Sequence, residues 1–356
     1  MTLPPENFVP SSQNFFMPAE WELHSSTWLV WPHNKKTWDS NDLIDVESAY
    51  IDIIRNLVVH ENINILVCDE QSKVRVTSLL NINKVNSKHI FFYKISTNDV
   101  WIRDFGPNFV VRDTSVGRQI AINHWHFNSW GQKYPWEKDN EAGYKIVCES
   151  NFRWFNPKII LEGGAIDVNG KGTCLTTTSC LLNPNRNKGL SQKRMEEYLK
   201  NHLGVNNIIW LSGKLIGDDT DGHIDNIARF ITPTTIVYIS EKNKQDDNYL
   251  SLKKVEETLK KAKDQDGKPF NLISLPMPHE IKDKDFRFPA SYANFYIGNN
   301  VVLVPAFNDP NDYVVKEVLK AQFTDKKITL IDSRILIKGQ GGIHCITQQQ
   351  PKHSNL

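Results

Sequence analysis

Short apolar runs rich in Val, Ile and Thr recur along the chain, each bounded by Gly, Pro, Asn or Asp, and they predict strands. They fall at residues 27–31, 63–67, 90–95, 109–111, 159–161 and 173–177, then at 208–211, 235–239, 271–275, 301–304 and 328–331. Between them the period changes. Leu43, Tyr50, Ile51, Ile54 and Leu57 share one face of a helix over 42–58. Met195, Tyr198, Leu199 and Leu203 repeat that spacing and end at Gly204, a C-terminal cap. Leu252, Val255, Leu259 and Ala262 mark a further helix, as do Val314, Val315, Val318 and Leu319, with fainter signals over 70–80 and 140–149.

Strands exceed helices by about two or three to one, whereas a doubly wound parallel sheet gives nearly equal numbers. Units of two or three strands and one helix, repeated several times, describe the pattern better. No linker or composition break divides the chain, so the expectation is one catalytic domain over 17–356 behind an N-terminal arm, residues 1–16, rich in Pro, Asn and Ser. No G-x-G-x-x-G and no P-loop motif occurs, which removes the usual nucleotide cradles.

Composition narrows the function classes. Lys+Arg 42 against Asp+Glu 41 leaves a net charge of +1, so nothing points to nucleic acid or an anionic membrane. A hydrophobic content of 40% suffices for a large core in 356 residues. No apolar run approaches the roughly 18 residues of a membrane span, and the N-terminus lacks the basic start and apolar stretch of a secretory signal. Five scattered cysteines are not a disulfide framework, and they point to a reducing, cytoplasmic setting in which a special thiol acts as nucleophile.

Four segments concentrate acid, His, Cys, Gly and Trp: Trp101-Ile-Arg-Asp104, Glu162-Gly-Gly, Asp218-Asp-Thr-Asp-Gly-His223-Ile-Asp225 and Gly339-Gln-Gly-Gly-Ile-His-Cys345. Each follows a strand-like run, where loops gather side chains. Cys345 leaves a glycine-dense turn, a setting that can lower a thiol pKa and expose it. The other four cysteines read as packing residues. His344 is adjacent, but neighbours in an extended segment point to opposite faces, so it reads as structural. His223 and Asp225, two apart, share a face if the segment is a strand. His-x-Asp and His124-x-His126 could hold a metal, yet no H-E-x-x-H or paired C-x-x-C is present, and no metal is expected.

Asp104 and Asp225 beside a Cys and a His suit a planar cation. A guanidinium offers a fork of N–H donors that two carboxylates accept bidentately, and Trp101 could wall the cation or its stem. Cys345 would attack the central carbon, His223 would protonate the departing amine and then activate water, and Glu162 would hydrogen-bond His223 to fix its tautomer. A thiol amidase acting on a neutral carboxamide needs the Cys–His–Glu trio but has no use for the two further carboxylates.

The four segments, with Met17-Pro-Ala-Glu-Trp-Glu22, Asn294-Phe-Tyr-Ile and Cys345-Ile-Thr-Gln-Gln-Gln-Pro, resemble the agmatine deiminase family of guanidine-modifying enzymes, related to the bacterial-type peptidylarginine deiminases. The likeness runs from about Met17 to Pro351. It implies a five-bladed α/β-propeller (pentein) of ββαβ-type units. It also implies hydrolysis of agmatine to N-carbamoylputrescine and ammonia without cofactor, on a route to putrescine. In that likeness Cys345 takes the nucleophile position and His223 the acid/base position, with Glu162 as its partner. Asp104 and Asp225 grip the guanidinium, while Trp101 and Asp219 face the rest of the substrate. Gln340, which interrupts a glycine run, and Phe105, after Asp104, depart from the family pattern and bear on substrate preference. The alternative substrates are peptidylarginine and free arginine; the partner expected is a small guanidine, and a homo-oligomer is left open.

Overall fold

The structure, a computed structural model, describes residues 9–353. One local unit recurs in it. A tight hairpin is followed by a helix, and the chain then returns as a strand parallel to the second hairpin strand. Asn108–Thr114 pairs antiparallel with Gly117–Asn123, helix Glu137–Glu149 crosses over, and Arg153–Phe155 runs parallel to Gly117–Asn123. The same order holds for Ile166–Val168, Thr173–Thr177, Gln192–Leu203 and Asn207–Leu211, and again for Ala228–Thr232, Thr235–Ser240, Tyr249–Lys261 and Asn271–Pro276. Tyr296–Gly298, Val301–Ala306, Pro310–Gln322 and Lys327–Asp332 form a fourth copy.

The fifth unit joins the two ends of the chain. Gln348–Pro351 pairs antiparallel with His24–Val30, helix Asp42–Leu57 follows, and Asn62–Val67 lies parallel to His24–Val30. Helix Glu70–Ile82 and strand Ile90–Lys94 extend that sheet. The pairing of first and last strands closes a five-bladed α/β-propeller of ββαβ units. A strand such as Gln-Gln-Gln-Pro carries no β signal of its own, and pairing with a buried neighbour is what makes it one.

Local chemistry explains the elements. Central strands such as Val301–Ala306 are covered by helices, so they read as unbroken apolar runs. The Ser191 side chain caps Gln192–Leu203, and Asp309 with Asp312 forms a capping box before Pro310–Gln322. The strand expected at 159–161 is only a single bridge between His126 and Ile160. Of the N-terminal arm, residues 1–8 lie outside the described residues; the rest forms a turn at Pro10–Gln13, buries Phe15, and pairs Phe16 with Val111 through backbone hydrogen bonds of 2.9 and 2.8 Å. No helix among the described residues is long and apolar enough to cross a membrane.

The repeat has a consequence for chemistry. The polar segments follow strands, as the sequence suggested, and each lies between the last strand of one unit and the first strand of the next hairpin. Asp104 precedes Asn108–Thr114, Glu162 precedes Ile166–Val168, His223 and Asp225 precede Ala228–Thr232, Asn294 precedes Tyr296–Gly298, and Cys345 precedes Gln348–Pro351. Each unit thus offers a side chain from an equivalent position.

Candidate active site

Gly164 marks where three of these segments meet. A Cβ added there would lie 2.6 Å from His223 Nδ1, 2.8 Å from Asp104 Oδ1 and 3.0 Å from Asp225 Oδ2, so any side chain would occupy the space these groups share. The Gly164 amide donates to Asp104 Oδ1 at 3.0 Å, and the indole of Trp130 donates to Asp104 Oδ2, also at 3.0 Å. His223 and Asp225 converge, but not by strand alternation: His223 caps a 3-10 turn, Ile224–Asn226, that carries Asp225.

Cys345 stands beside them. Its Sγ lies 3.3 Å from Asn294 Nδ2 and 3.8 Å from Asp225 Oδ2. Gly341, in the turn before it, leaves room for Trp101, whose ring a Cβ would strike. Trp101 in turn packs on Trp38, with ring centroids 5.6 Å apart. Cys345, Asp104, Trp101 and Asp219 line a cavity of about 520 Å³, a size suited to a small molecule. His223, Asp225 and Glu162 are buried beneath it. Asp99, Asp139 and Tyr134 also line it, together with Lys36, Lys338 and Gln340. Gln340 adopts a left-handed φ of 72° where a glycine would sit without strain, and Phe105 packs into the core against Phe127.

Burial and charge set the protonation states. Burial raises Asp104 to about 6, against the pull of His223. Burial also opposes ionisation of Asp225, but the hydrogen bond from His344 at 2.8 Å prevails and holds its carboxyl below the usual range. Arg186 Nε donates to Glu162 Oε1 at 2.8 Å, and its charge overcomes burial to bring Glu162 down to about 2. Burial works against a charged His223, yet Asp104 above all, then Cys180 and Glu162, lift it well above its ordinary value. Its Nδ1 is 3.6 Å from Asp104 Oδ1 and its Nε2 is 3.9 Å from Glu162 Oε2, so Glu162 is a close counter-charge and not a hydrogen-bond partner. The thiol departs from expectation. Burial, then Asp225 and Asp104, push Cys345 well above the usual thiol range, so the loop does not lower it.

Several site residues carried no role in the sequence reading. Trp130, Asn294 and Arg186 are three of them, and Cys180, taken as packing, has its Sγ 3.9 Å from Glu162 Oε2. His344 bridges Asp225 and Glu20, with 2.8 Å at each ring nitrogen. Glu20 sits in the Met17–Glu22 motif and Asn294 heads the Asn294-Phe-Tyr-Ile motif, so both segments were visible although their partners were not. Glu162, Cys180 and His223 are the one group among the described residues with metal-ligand spacing. Arg186 already supplies a cation to Glu162, and a second beside it would be repelled, so the trio fits a metal poorly.

Fold and site define a pentein carrying a cysteine, a histidine and paired aspartates where its units meet. The chain belongs to the Porphyromonas-type peptidyl-arginine deiminase family, whose profile matches residues 16–351. It is 33% identical to the agmatine deiminase of Stutzerimonas stutzeri, over 96% of this chain and 97% of that protein. Among solved structures it resembles the agmatine deiminase of Enterococcus faecalis, solved catalysing its reaction, at 29% identity and a TM-score of 0.90 over 99% of this chain and 100% of that one. A Cys-to-Ser variant of C. jejuni agmatine deiminase, solved with substrate bound, is 33% identical with a TM-score of 0.85, covering 95% of this chain and 96% of that one.

Proposed function

We propose that this protein hydrolyses agmatine to N-carbamoylputrescine and ammonia, with Cys345 as nucleophile. The observation that carries the reading is the convergence of Asp104, Asp225 and His223 over Gly164, with the Cys345 sulfur 3.8 Å from Asp225. A guanidinium spanning both carboxylates presents its carbon to that sulfur. The arriving cation also neutralises the two charges that keep the thiol protonated, so substrate itself favours the thiolate. The thiol releases its proton to solvent as the cation binds, the thiolate sulfur adds to the carbon, His223 gives its proton to the departing nitrogen, and ammonia leaves an S-amidino intermediate. Neutral His223 then takes a proton from water, which adds to the same carbon. Collapse releases the ureido product and returns sulfur as the leaving group. Glu162 and Asp104 stabilise the imidazolium in both halves.

Agmatine is favoured by the rest of the cavity. Trp101 and Asp219 form an aromatic and acidic wall suited to an alkyl stem and a terminal ammonium. Arg103 and Arg229, near the site in sequence, are both buried, and each is paired with Glu20, at 3.6 and 2.9 Å, so neither serves a substrate carboxylate. Lys36 and Lys338 at the cavity wall are the observation that keeps free arginine and peptidylarginine as alternatives. The product belongs on a route to putrescine, and the five free cysteines support a cytoplasmic setting.

Ammonia release from agmatine, arginine and a blocked arginine peptide separates the substrates: agmatine alone should react well, and activity on the peptide alone would reverse the assignment. Mass analysis of the quenched reaction should find an adduct on Cys345. Cys345→Ser should bind agmatine with no turnover.

A further inference from the structure

Arg186 lies behind the cavity, its side chain wholly buried, and does not line it. Its Nε donates to Glu162 Oε1 at 2.8 Å, its Nη1 to the Trp130 carbonyl at 3.0 Å and Asn185 Oδ1 at 2.8 Å, and its Nη2 to the Thr220 carbonyl at 2.7 Å. Nη1 also pairs with Asp221. Three of these bonds lead back to His223. The other oxygen of Glu162 stands 3.9 Å from His223 Nε2. Trp130 donates its indole N–H to Asp104 Oδ2, and the other oxygen of Asp104 stands 3.6 Å from His223 Nδ1. The hydroxyl of Thr220 accepts the His223 backbone N–H at 3.0 Å.

The Trp130 leg is strained. Ser129, Trp130, Gly131 and Gln132 have φ of 51°, 54°, 97° and 64°, four left-handed residues in succession, three of them with side chains that resist the conformation. Such a run persists only where its surroundings over-determine it. Here Arg186 and Asn185 hold the Trp130 carbonyl, and Asn128 Oδ1 accepts the Gly131 N–H at 3.0 Å.

We infer that Arg186 is a positioning residue for the hydrolysis proposed above, a planar fork that ties Glu162, the Trp130 loop and Thr220 into one unit and thereby fixes the carboxylates facing both nitrogens of His223. A lysine keeps the charge but donates from a single point and cannot span three acceptors on different segments.

The test is Arg186→Lys, with kcat and KM separated across pH and activity normalised to the folded fraction by circular dichroism. Expected are a kcat lower by at least about tenfold, a KM changed by less than about threefold, and an alkaline limb of kcat moved to lower pH. The limb moves because His223 loses the fixed charges that hold its proton. A variant that only melts earlier, with the wild-type kcat profile on folded protein, overturns the assignment. If Arg186→Lys does not fold, Trp130→Phe cuts the indole leg alone. It must then raise the acid limb of kcat/KM, since Asp104 loses the N–H that favours its charge; an unmoved limb overturns the assignment equally. A wild type inert toward agmatine would be a different failure, sinking the hydrolysis first and this role with it.

Discussion

Asp104 and Asp225 flank the same sulfur from two walls built on different electrostatics. On the Asp225 wall the support is ionic. Asp225 accepts from His344 at 2.8 Å, His344 reaches Glu20 at 2.8 Å, and Glu20 pairs with Arg229 at 2.9 Å, which is also paired with Asp167. Both ring nitrogens of His344 thus face carboxylate oxygens. On the Asp104 wall the donors bonded to the carboxylate are neutral, the Trp130 indole and the Gly164 amide. Burial therefore prevails over His223 there and lifts the carboxyl to about 6, while on the other wall His344 outweighs burial. One carboxylate is held charged at all times. The other, Asp104, ionises only as pH rises through about 6, with His223 beside it favouring the charge.

The largest expected effect breaks the pair apart. Asp104→Asn and Asp225→Asn should each cut agmatine turnover on the order of a hundred- to a thousandfold or more, since each removes a charge facing the transition state. Stability should separate them. Asp225→Asn replaces one of the two carboxylates that face His344 within a buried chain by a neutral amide and should cost about 1.5–3 kcal/mol, the usual worth of a buried hydrogen bond to a charged group. Asp104→Asn removes a charge that burial disfavours and should be close to neutral at pH 8, the lost acceptor offsetting the relief. Denaturant unfolding at pH 8 measures both; equal losses would erase the distinction between the walls.

A smaller effect concerns pH. Asp104 must be ionised to grip a guanidinium, so kcat/KM should fall as pH drops through about 6. The stability slopes run oppositely. Because the folded pKa of Asp104 is raised, its contribution is full below about 4, its unfolded value, and is lost as pH rises through about 6. Asp225, depressed in the fold, contributes above that unfolded value and loses its share as pH falls through its folded pKa. His344→Asn removes the bond that depresses Asp225. It should lower kcat/KM by about tenfold and move the acid limb upward, because a second carboxylate then titrates within the working range. A pH–rate profile of wild type and variant tests both statements.

The chemistry of these walls was readable in the sequence to the extent that it lies in single short segments. Asp104, Glu162, His223, Asp225 and Cys345 each stand beside glycine or in a dense polar run within an otherwise apolar chain, and the bidentate logic of a guanidinium needs only their types. What supports them was not readable, because it comes from other loops, 26 positions away for Trp130 on Asp104 and 24 for Arg186 on Glu162. Trp130 reaches Asp104 only through a left-handed backbone that Ser-Trp-Gly-Gln does not announce. The thiol was misjudged for the same reason. The glycine turn suggested exposure, but the sulfur is buried against carboxylates from two other units. The fold was legible as a repeat of strands and helices. Its closure was not, because Gln348–Pro351 becomes a strand only by lying against His24–Val30.

The smallest predicted effect sharpens the comparison by adding a third carboxylate that does not belong to either wall. Asp219 is half-buried on the cavity wall, where it accepts the Tyr134 hydroxyl at 2.8 Å. Burial raises its pKa, and Asp218 adds to the rise, so it gains from a cation nearby as Asp104 does. It touches neither Cys345 nor His223 through any hydrogen bond, and its interaction with substrate should be the same before and during the reaction. Uniform binding of that kind appears in KM and leaves kcat. Asp219→Asn should raise KM for agmatine by about three- to tenfold with kcat within about twofold of wild type, and should narrow the preference over free arginine, which carries a carboxylate where agmatine has none. Steady-state kinetics on the two substrates at pH 8 decides it: a kcat loss comparable to that of Asp104→Asn would move Asp219 from the stem of the substrate to its reacting end.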